Sequence, residues 1–227
     1  MLIEITITSI TSAKWLSLFD IYLITGVPIS AFVIGWIIYV VIRNREKTIT
    51  GNVEDVESIV PGFIPTAERG KKKPFLFFIV FMAVLFLGLT SIALPVASFT
   101  RTAPADQGNA LVVDVYASQW TWTFHYPDGY NVTGSALIRN YSIEFPVNTT
   151  LIFRVTSRDV LHEFAVPSLK IKVDAFPGIW NVVWTNVSVP GTYTAFCMEL
   201  CGLGHAGMWV KISFVGQSAF RSWYASH

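Results

Sequence analysis

Charge is scarce in this chain. Asp, Glu, Lys and Arg make up 14% of its 227 residues, where soluble domains carry about a quarter. Hydrophobic residues make up 52%, and the mean hydropathy is +0.51. Part of the chain is therefore expected outside water. The charges that exist nearly cancel, to a formal net of +1, which excludes the basic stripe of a nucleic-acid binder. Cysteine is rarer still, with only Cys197 and Cys201. They allow one disulfide at most, and at four residues apart it would close a small, strained ring. A metal or redox role fits the pair better, with the disulfide as the alternative. The sequence contains no internal repeat and no low-complexity tract.

Two stretches lack charge altogether. Ile21–Ile42 runs 22 residues and Phe75–Phe99 runs 25, and about 20 apolar residues cross the hydrocarbon core as a helix. Pro28, Gly35 and Pro95 do not count against this, because membrane helices tolerate them. The first run is too long for a signal peptide and has no basic leader, so it is expected to be retained. Between the runs, Arg43–Pro74 holds seven basic residues close to the membrane, against Lys14 alone before the first run. Positive charge stays inside, so the 43–74 loop is expected in the cytoplasm and everything after Phe99 outside it. The expected organisation is a two-helix transmembrane hairpin in 1–99, with helices at about 21–42 and 75–99, and an extracytoplasmic domain in 100–227. All four Asn-x-Ser/Thr sequons, at Asn131, Asn140, Asn148 and Asn186, fall in that outer part, which agrees with surface exposure.

The outer part changes character. After the polar linker TRTAPADQGN come short segments rich in Val, Ile, Thr and aromatics: LVVDVY, WTWTFHY, SIEFPV, TLIFRVTS, VVWTNVSV, TYTAF and MWVKISF. Turn signals such as PDGYN, FPG and VPG separate them. This alternation predicts a small all-β sandwich or barrel. Eight basic residues balance eight acidic ones there, so net charge supplies no steering field.

Between TYTAF and MWVKISF stands CMELCGLGHAGM, residues 197–208. Two thiols, an imidazole and a thioether form a set that selects copper, with zinc and iron–sulfur clusters as competitors. Gly202, Gly204 and Gly207 let the backbone turn sharply. A single blue-copper site takes one cysteine, two histidines and a weak methionine, which would leave one thiolate spare. Two coppers bridged by both sulfurs would use the whole set but need a histidine besides His205. His125, His162 and His227 are the candidates, the last at a terminus prone to fraying.

The residues Cys197-x-Glu199-x-Cys201-x-x-x-His205-x-x-Met208, with His162-x-Phe164-x-x-Pro167-Ser168-Leu169-x-Ile171-Lys172-x-Asp174-Ala175-x-Pro177-Gly178 upstream, resemble subunit II of the heme-copper oxidases. In particular they resemble the cytochrome c oxidase type that carries the binuclear copper A centre. The resemblance covers both membrane spans, in number and orientation, and nearly all of the outer domain. It implies a membrane-anchored all-β protein whose outer domain is a cupredoxin-like Greek-key barrel. It also implies two copper ions bridged by Cys197 and Cys201. His162 and Met208 would complete one ion, and His205 with the backbone carbonyl of Glu199 the other. A magnesium ion at the Glu199 carboxylate, and contact of Lys172 and Asp174 with the catalytic subunit, follow from the same resemblance. Trp120, in WTWTFHY, matches the tryptophan through which electrons arrive from a donor docked outside, and Trp122 is left to packing.

The implied function is that of the electron-input subunit of a terminal respiratory oxidase. The heme, the oxygen-reducing site and proton translocation would belong to subunit I, with other oxidase subunits beside it. The donor would be cytochrome c or a small blue-copper protein, and the setting the plasma membrane of a prokaryote, with an organellar inner membrane as the alternative. The pattern has departures. Ile179 follows Gly178 where the family often has arginine, and Trp209 follows Met208 where proline is common. Glu57, in the 43–74 loop, is the candidate for a carboxylate at the mouth of a proton channel; a solvated loop charge is the plainer reading. A membrane-anchored cupredoxin carrier without an oxidase partner is the alternative function, and the second cysteine speaks against it. A nitrous oxide reductase would need a large catalytic domain for which the chain has no room. A copper-holding assembly protein is the weakest alternative.

Overall fold

A computed structural model describes residues 9–44, 72–103, 109–138 and 140–227. Two compact units result, one of residues 19–93 and the other of residues 1–18 with 94–227. Glu57 lies outside the described residues.

Residues 19–93 contribute most of two long helices, α1 (Ile10–Asn44) and α2 (Lys72–Arg101). α1 starts well before its charge-free stretch and α2 runs less than a turn past each end of its own, because a helix continues through polar flanks once its backbone ladder is nucleated. Neither has a polar face. Ile24, Phe32 and Phe77 are each more than 70% exposed, and no residue in the most apolar stretch of either helix is buried. A helix that is apolar all round needs an apolar solvent, and both are long enough to cross a bilayer. Inside this unit the Tyr22 hydroxyl donates to the Leu89 carbonyl at 3.3 Å.

The other unit is a two-sheet β domain. Its strands are β1 (Leu111–Ser118), β2 (Thr121–His125), β3 (Asn131–Gly134), β4 (Glu144–Pro146), β5 (Thr150–Ser157), β6 (His162–Val166), β7 (Ile171–Ala175), β8 (Asn181–Asn186), β9 (Gly191–Cys197) and β10 (Trp209–Val215), followed by a short helix α3 (Gln217–Tyr224). One sheet has the order β3-β2-β1-β5-β8 and the other β4-β10-β9-β6-β7. Pairing is antiparallel except for β1 with β5 and β4 with β10. The inward residues of β1, Val113, Val115 and Ala117, are fully buried, as a half-buried strand's period of two requires. Between the sheets Trp122, Phe124, Phe145, Phe153 and Phe164 pack edge to face or tilted, with ring centres 5.2–6.5 Å apart. Burying each such ring contributes about 1.5–3 kcal/mol. The segment after β7 returns to the first sheet, where the Phe176 carbonyl accepts from Ser157 N at 3.2 Å and from Thr156 Oγ1 at 3.1 Å.

The start of α1 belongs to this unit. Thr11 Oγ1 donates to the Leu169 carbonyl at 2.8 Å, and Ser9, Thr11 and Ser12 are buried. Trp184, on β8, donates its indole N–H to the Phe99 carbonyl at 2.9 Å. Because β1 and β5 run parallel, with Ala117 opposite Ser157, the loops that follow both strands leave the same end of the domain. The β9–β10 loop joins them there, and the candidate site is built from these three loops.

Candidate metal centre

Sequence and backbone together explain how the β9–β10 loop closes. Cys197, the last residue of β9, donates its N–H to the Met208 carbonyl at 2.9 Å, and Met198 N donates to the Glu163 carbonyl at 3.0 Å. His205–Gly207 forms one 3₁₀ turn. Gly202 has φ +112°, a left-handed conformation that favours glycine. Gly204 has a different reason: a Cβ there would collide with the Trp120 indole, 2.6 Å from Cε3 and 2.7 Å from Cγ.

The ligand atoms meet at the centre of this loop. Cys197 Sγ stands 3.7 Å from Cys201 Sγ and 3.7 Å from His162 Nδ1. Cys201 Sγ stands 3.5 Å from His205 Nδ1 and 3.7 Å from Met208 Sδ. The Glu199 carbonyl oxygen lies 3.2 Å from Cys197 Sγ. His162, Cys197 and Cys201 are all buried, and their ligand atoms lie within 4.8 Å of one another. Both thiols are free. A metal–thiolate bond is about 2.3 Å, so one ion can touch both sulfurs only if they are less than about 4.6 Å apart, and the pair meets that test. The disulfide alternative is not what the structure holds.

Protonation follows from the packing. Burial pushes the Cys197 thiol up, but hydrogen bonds from His162, from the Glu163 and Glu199 backbone and from His205 outweigh it and bring its pKa to about 7. Burial, then the charge on Cys197, pushes Cys201 up to about 12. Two thiols this close titrate as a pair. Burial works against a charged His162, yet Cys197 and Asp159 outweigh it and raise its pKa.

Three residues that the sequence reading passed over hold the ligands in place. Asp159 Oδ1 takes the Nε2 side of His162 at 2.8 Å, which leaves Nδ1 to face the sulfurs. The same carboxylate accepts from Gln119 N and Val160 N, both at 2.7 Å. Gln119 Nε2 donates to the Cys201 carbonyl at 2.7 Å, and Trp120 Nε1 reaches that oxygen at 3.3 Å. Glu163, buried on β6, is paired with Lys172 Nζ at 3.0 Å. The i,i+3 spacing of Asp159 and His162 was a signal for the first of these; the rest depend on strand pairing.

The six expected ligand positions come together, and Trp120 packs on the ligand loop. Trp122 is fully buried, with its indole N–H 3.4 Å from the Met208 carbonyl. His125 and His227 stay out: His125 packs at a tilt against Tyr116, ring centres 4.6 Å apart, and His227 likewise against Tyr130 at 4.3 Å. The Glu199 side chain is exposed.

Comparison with known proteins now bears on the site. The family described as "Cytochrome C oxidase subunit II, periplasmic domain" matches residues 135–215. The heme-copper oxidase subunit 2 of Aeropyrum pernix is 31% identical over 219 residues, which cover 95% of this chain and 91% of that protein. The chain belongs to the heme-copper oxidase subunit II family. The probable cytochrome c oxidase subunit 2 of Rickettsia prowazekii is 35% identical over 162 residues, covering 65% of this chain and 52% of that one. The chain thus spans about half the length of that relative. The crystal structure of the periplasmic domain of subunit II from Bradyrhizobium japonicum is 32% identical and covers 51% of this chain and 91% of that one, with a TM-score of 0.48. As a subunit II, this protein is anchored by two helices, carries a periplasmic-type β domain and takes electrons in at a copper site. The His162, Cys197, Cys201 and Met208 cluster is consistent with copper A.

Proposed function

We propose that the copper site is the binuclear copper A centre, held by His162, Cys197, the Glu199 carbonyl, Cys201, His205 and Met208. In this reading an outside donor delivers single electrons, which pass to heme in a catalytic partner subunit that reduces oxygen to water and translocates protons. The observation that carries it is the pair of unbridged, buried thiols 3.7 Å apart, each flanked by its own imidazole. A single blue-copper site would have no use for the second thiolate. Two copper ions held by Cys197, Cys201 and the two imidazoles would supply a one-electron carrier.

The chain's own residues do the rest. Asp159 fixes the imidazole orientation of His162, and the Trp122 and Phe164 rings behind it exclude water. Met208, only 1% exposed, and the Glu199 carbonyl act as the weak donors that tune potential. Trp120, half-buried, hydrogen-bonded to the Cys201 carbonyl and packed on Gly204, offers a path from the surface to the Cys201 ligand. Leu200 and Leu203 on the ligand loop, and Leu137 next to the Ala136 that meets Gly207, are 78–101% exposed, and the 197–208 loop carries one charge, Glu199. That rim favours a donor docking through apolar contact, cytochrome c or a small blue-copper protein, over one steered by opposite charge. A magnesium ion at the Glu199 carboxylate and a position on the outer face of a prokaryotic plasma membrane complete the proposal.

The test is co-purification of the full chain from membranes, followed by rapid mixing with a reduced donor protein. A heme-bearing subunit that is reduced through this chain, at a rate nearly independent of ionic strength, is expected. Isolation without any heme partner would favour the free carrier.

A further inference from the structure

We propose that the β domain is an N-glycoprotein, modified at Asn131, Asn140 and Asn148, and that its glycans stand away from the metal loops. The first observation is a surplus of sequons. From Thr100 onward the chain has six asparagines, and four of them begin Asn-x-Ser/Thr. Serine and threonine make up 21 of those 128 residues, so chance would place a hydroxyl two positions after about one asparagine in six. Asn44 and Asn52, before the β domain, begin none.

Exposure then separates the four. Asn131, Asn140 and Asn148 are exposed, whereas Asn186 is half-buried at the end of β8, paired with Thr150. No described residue engages the side-chain amide of any of the exposed three. Asn131 opens β3, and Asn140 follows the β3 loop. Both line one polar cleft of about 490 Å³ together with their own sequon hydroxyls, Thr133 and Ser142. The rings of Tyr130 and Tyr141 frame that cleft and offer flat faces with polar tips against which a first sugar can rest. Asn148 sits in the β4–β5 turn with φ 56°, a left-handed position that asparagine tolerates better than most residues. The turn presents its amide to solvent.

Placement supplies the third observation. The metal loops follow β1, β5 and β9. Asn148 precedes β5, and Asn131 lies at the far end of the hairpin from Trp120. Glycans at these positions would coat the domain and leave the electron-input face bare.

The covalent step needs a glycan carried on a lipid phosphate and a transferase at the outer membrane face. The asparagine Nδ2 attacks the anomeric carbon, forming a C–N bond. The C–O bond to the lipid phosphate breaks, the phosphate leaves with the electron pair, and one amide proton passes to a base of the transferase. No oxidant or reductant is involved.

The experiment is mass spectrometry of the full chain isolated in its complex from the membranes of its source cells, with glycopeptide mapping. The expected mass exceeds 25.3 kDa by whole glycans at Asn131, Asn140 and Asn148, with Asn186 bare. Asn131→Gln and Thr133→Ala each remove one increment, the second while the asparagine remains, and the copper-site absorption of both variants stays unchanged. Unmodified peptides at the three exposed asparagines would overturn the proposal, as would an increment that survives Thr133→Ala.

Discussion

Replacing Asp159 by alanine tests how the site is held together. His162 is fully buried, and its Nε2 has Asp159 Oδ1 as partner at 2.8 Å. The carboxylate also accepts the backbone N–H groups of Gln119 and Val160. In Asp159→Ala the buried ring nitrogen is stranded, at a cost of about 1–3 kcal/mol. Partners of this kind, when removed, weaken metal binding by about 10–100-fold. The two scales agree on about 2 kcal/mol, or roughly 30-fold. Asp159→Asn keeps an acceptor oxygen within reach of Nε2, so the orientation survives and the loss stays near threefold, about 0.7 kcal/mol. The assay is competition for copper between the full chain in detergent and a chromophoric chelator, with circular dichroism to confirm the fold. An alanine variant that binds copper as tightly as the parent would refute the positioning role. Equal losses in both variants would refute the part played by orientation.

Gly204→Ala pushes a methyl into the Trp120 indole, so donor oxidation should slow while copper loading persists; stopped-flow with a donor protein and with a small reductant separates the two. Phe153→Ala empties a fully buried ring site between the sheets and is expected to destabilise the β domain by about 3–5 kcal/mol, read by thermal or urea unfolding. Burial, aided by the neighbouring Tyr130, Glu144 and Tyr224 charges, holds the Tyr126 phenol well above its ordinary value although its bond to the Glu144 carbonyl opposes this. The unfolded phenol ionises near pH 10 while the folded one keeps its proton, so stability present below about pH 10 is lost as pH rises towards the folded value. Tyr126→Phe should flatten that alkaline decline, and an unchanged slope in urea titrations at pH 9–11 would contradict it.

Strands with one wet face were legible in the sequence. TYTAF and MWVKISF fall within a residue of β9 and β10, whose burial alternates; TLIFRVTS coincides with β5, where only Arg154 is exposed and the β-branched and aromatic residues were the signal instead. β6 was not, because all five of its residues are buried and a strand covered on both sides shows no alternation. β7 hid behind Lys172 and Asp174, whose charges face outward, and β3 spans only four residues. The short α3 carries its apolar residues on one face, a period that no strand template detects. The ligands were legible because chemistry fixes their type and spacing. Gln119 was not, since its role arises only when the β1–β2 and β5–β6 loops meet at one end of the sandwich; Asp159 left only its i,i+3 spacing to His162 as a signal.

The central claim is best tested by loading the full chain with copper, counting copper per chain and recording the electron paramagnetic resonance spectrum. Two coppers per chain, with the unpaired electron coupled equally to both nuclei, is the expected result. One copper per chain, with splitting by a single nucleus, would contradict the account and leave the second thiolate without a role.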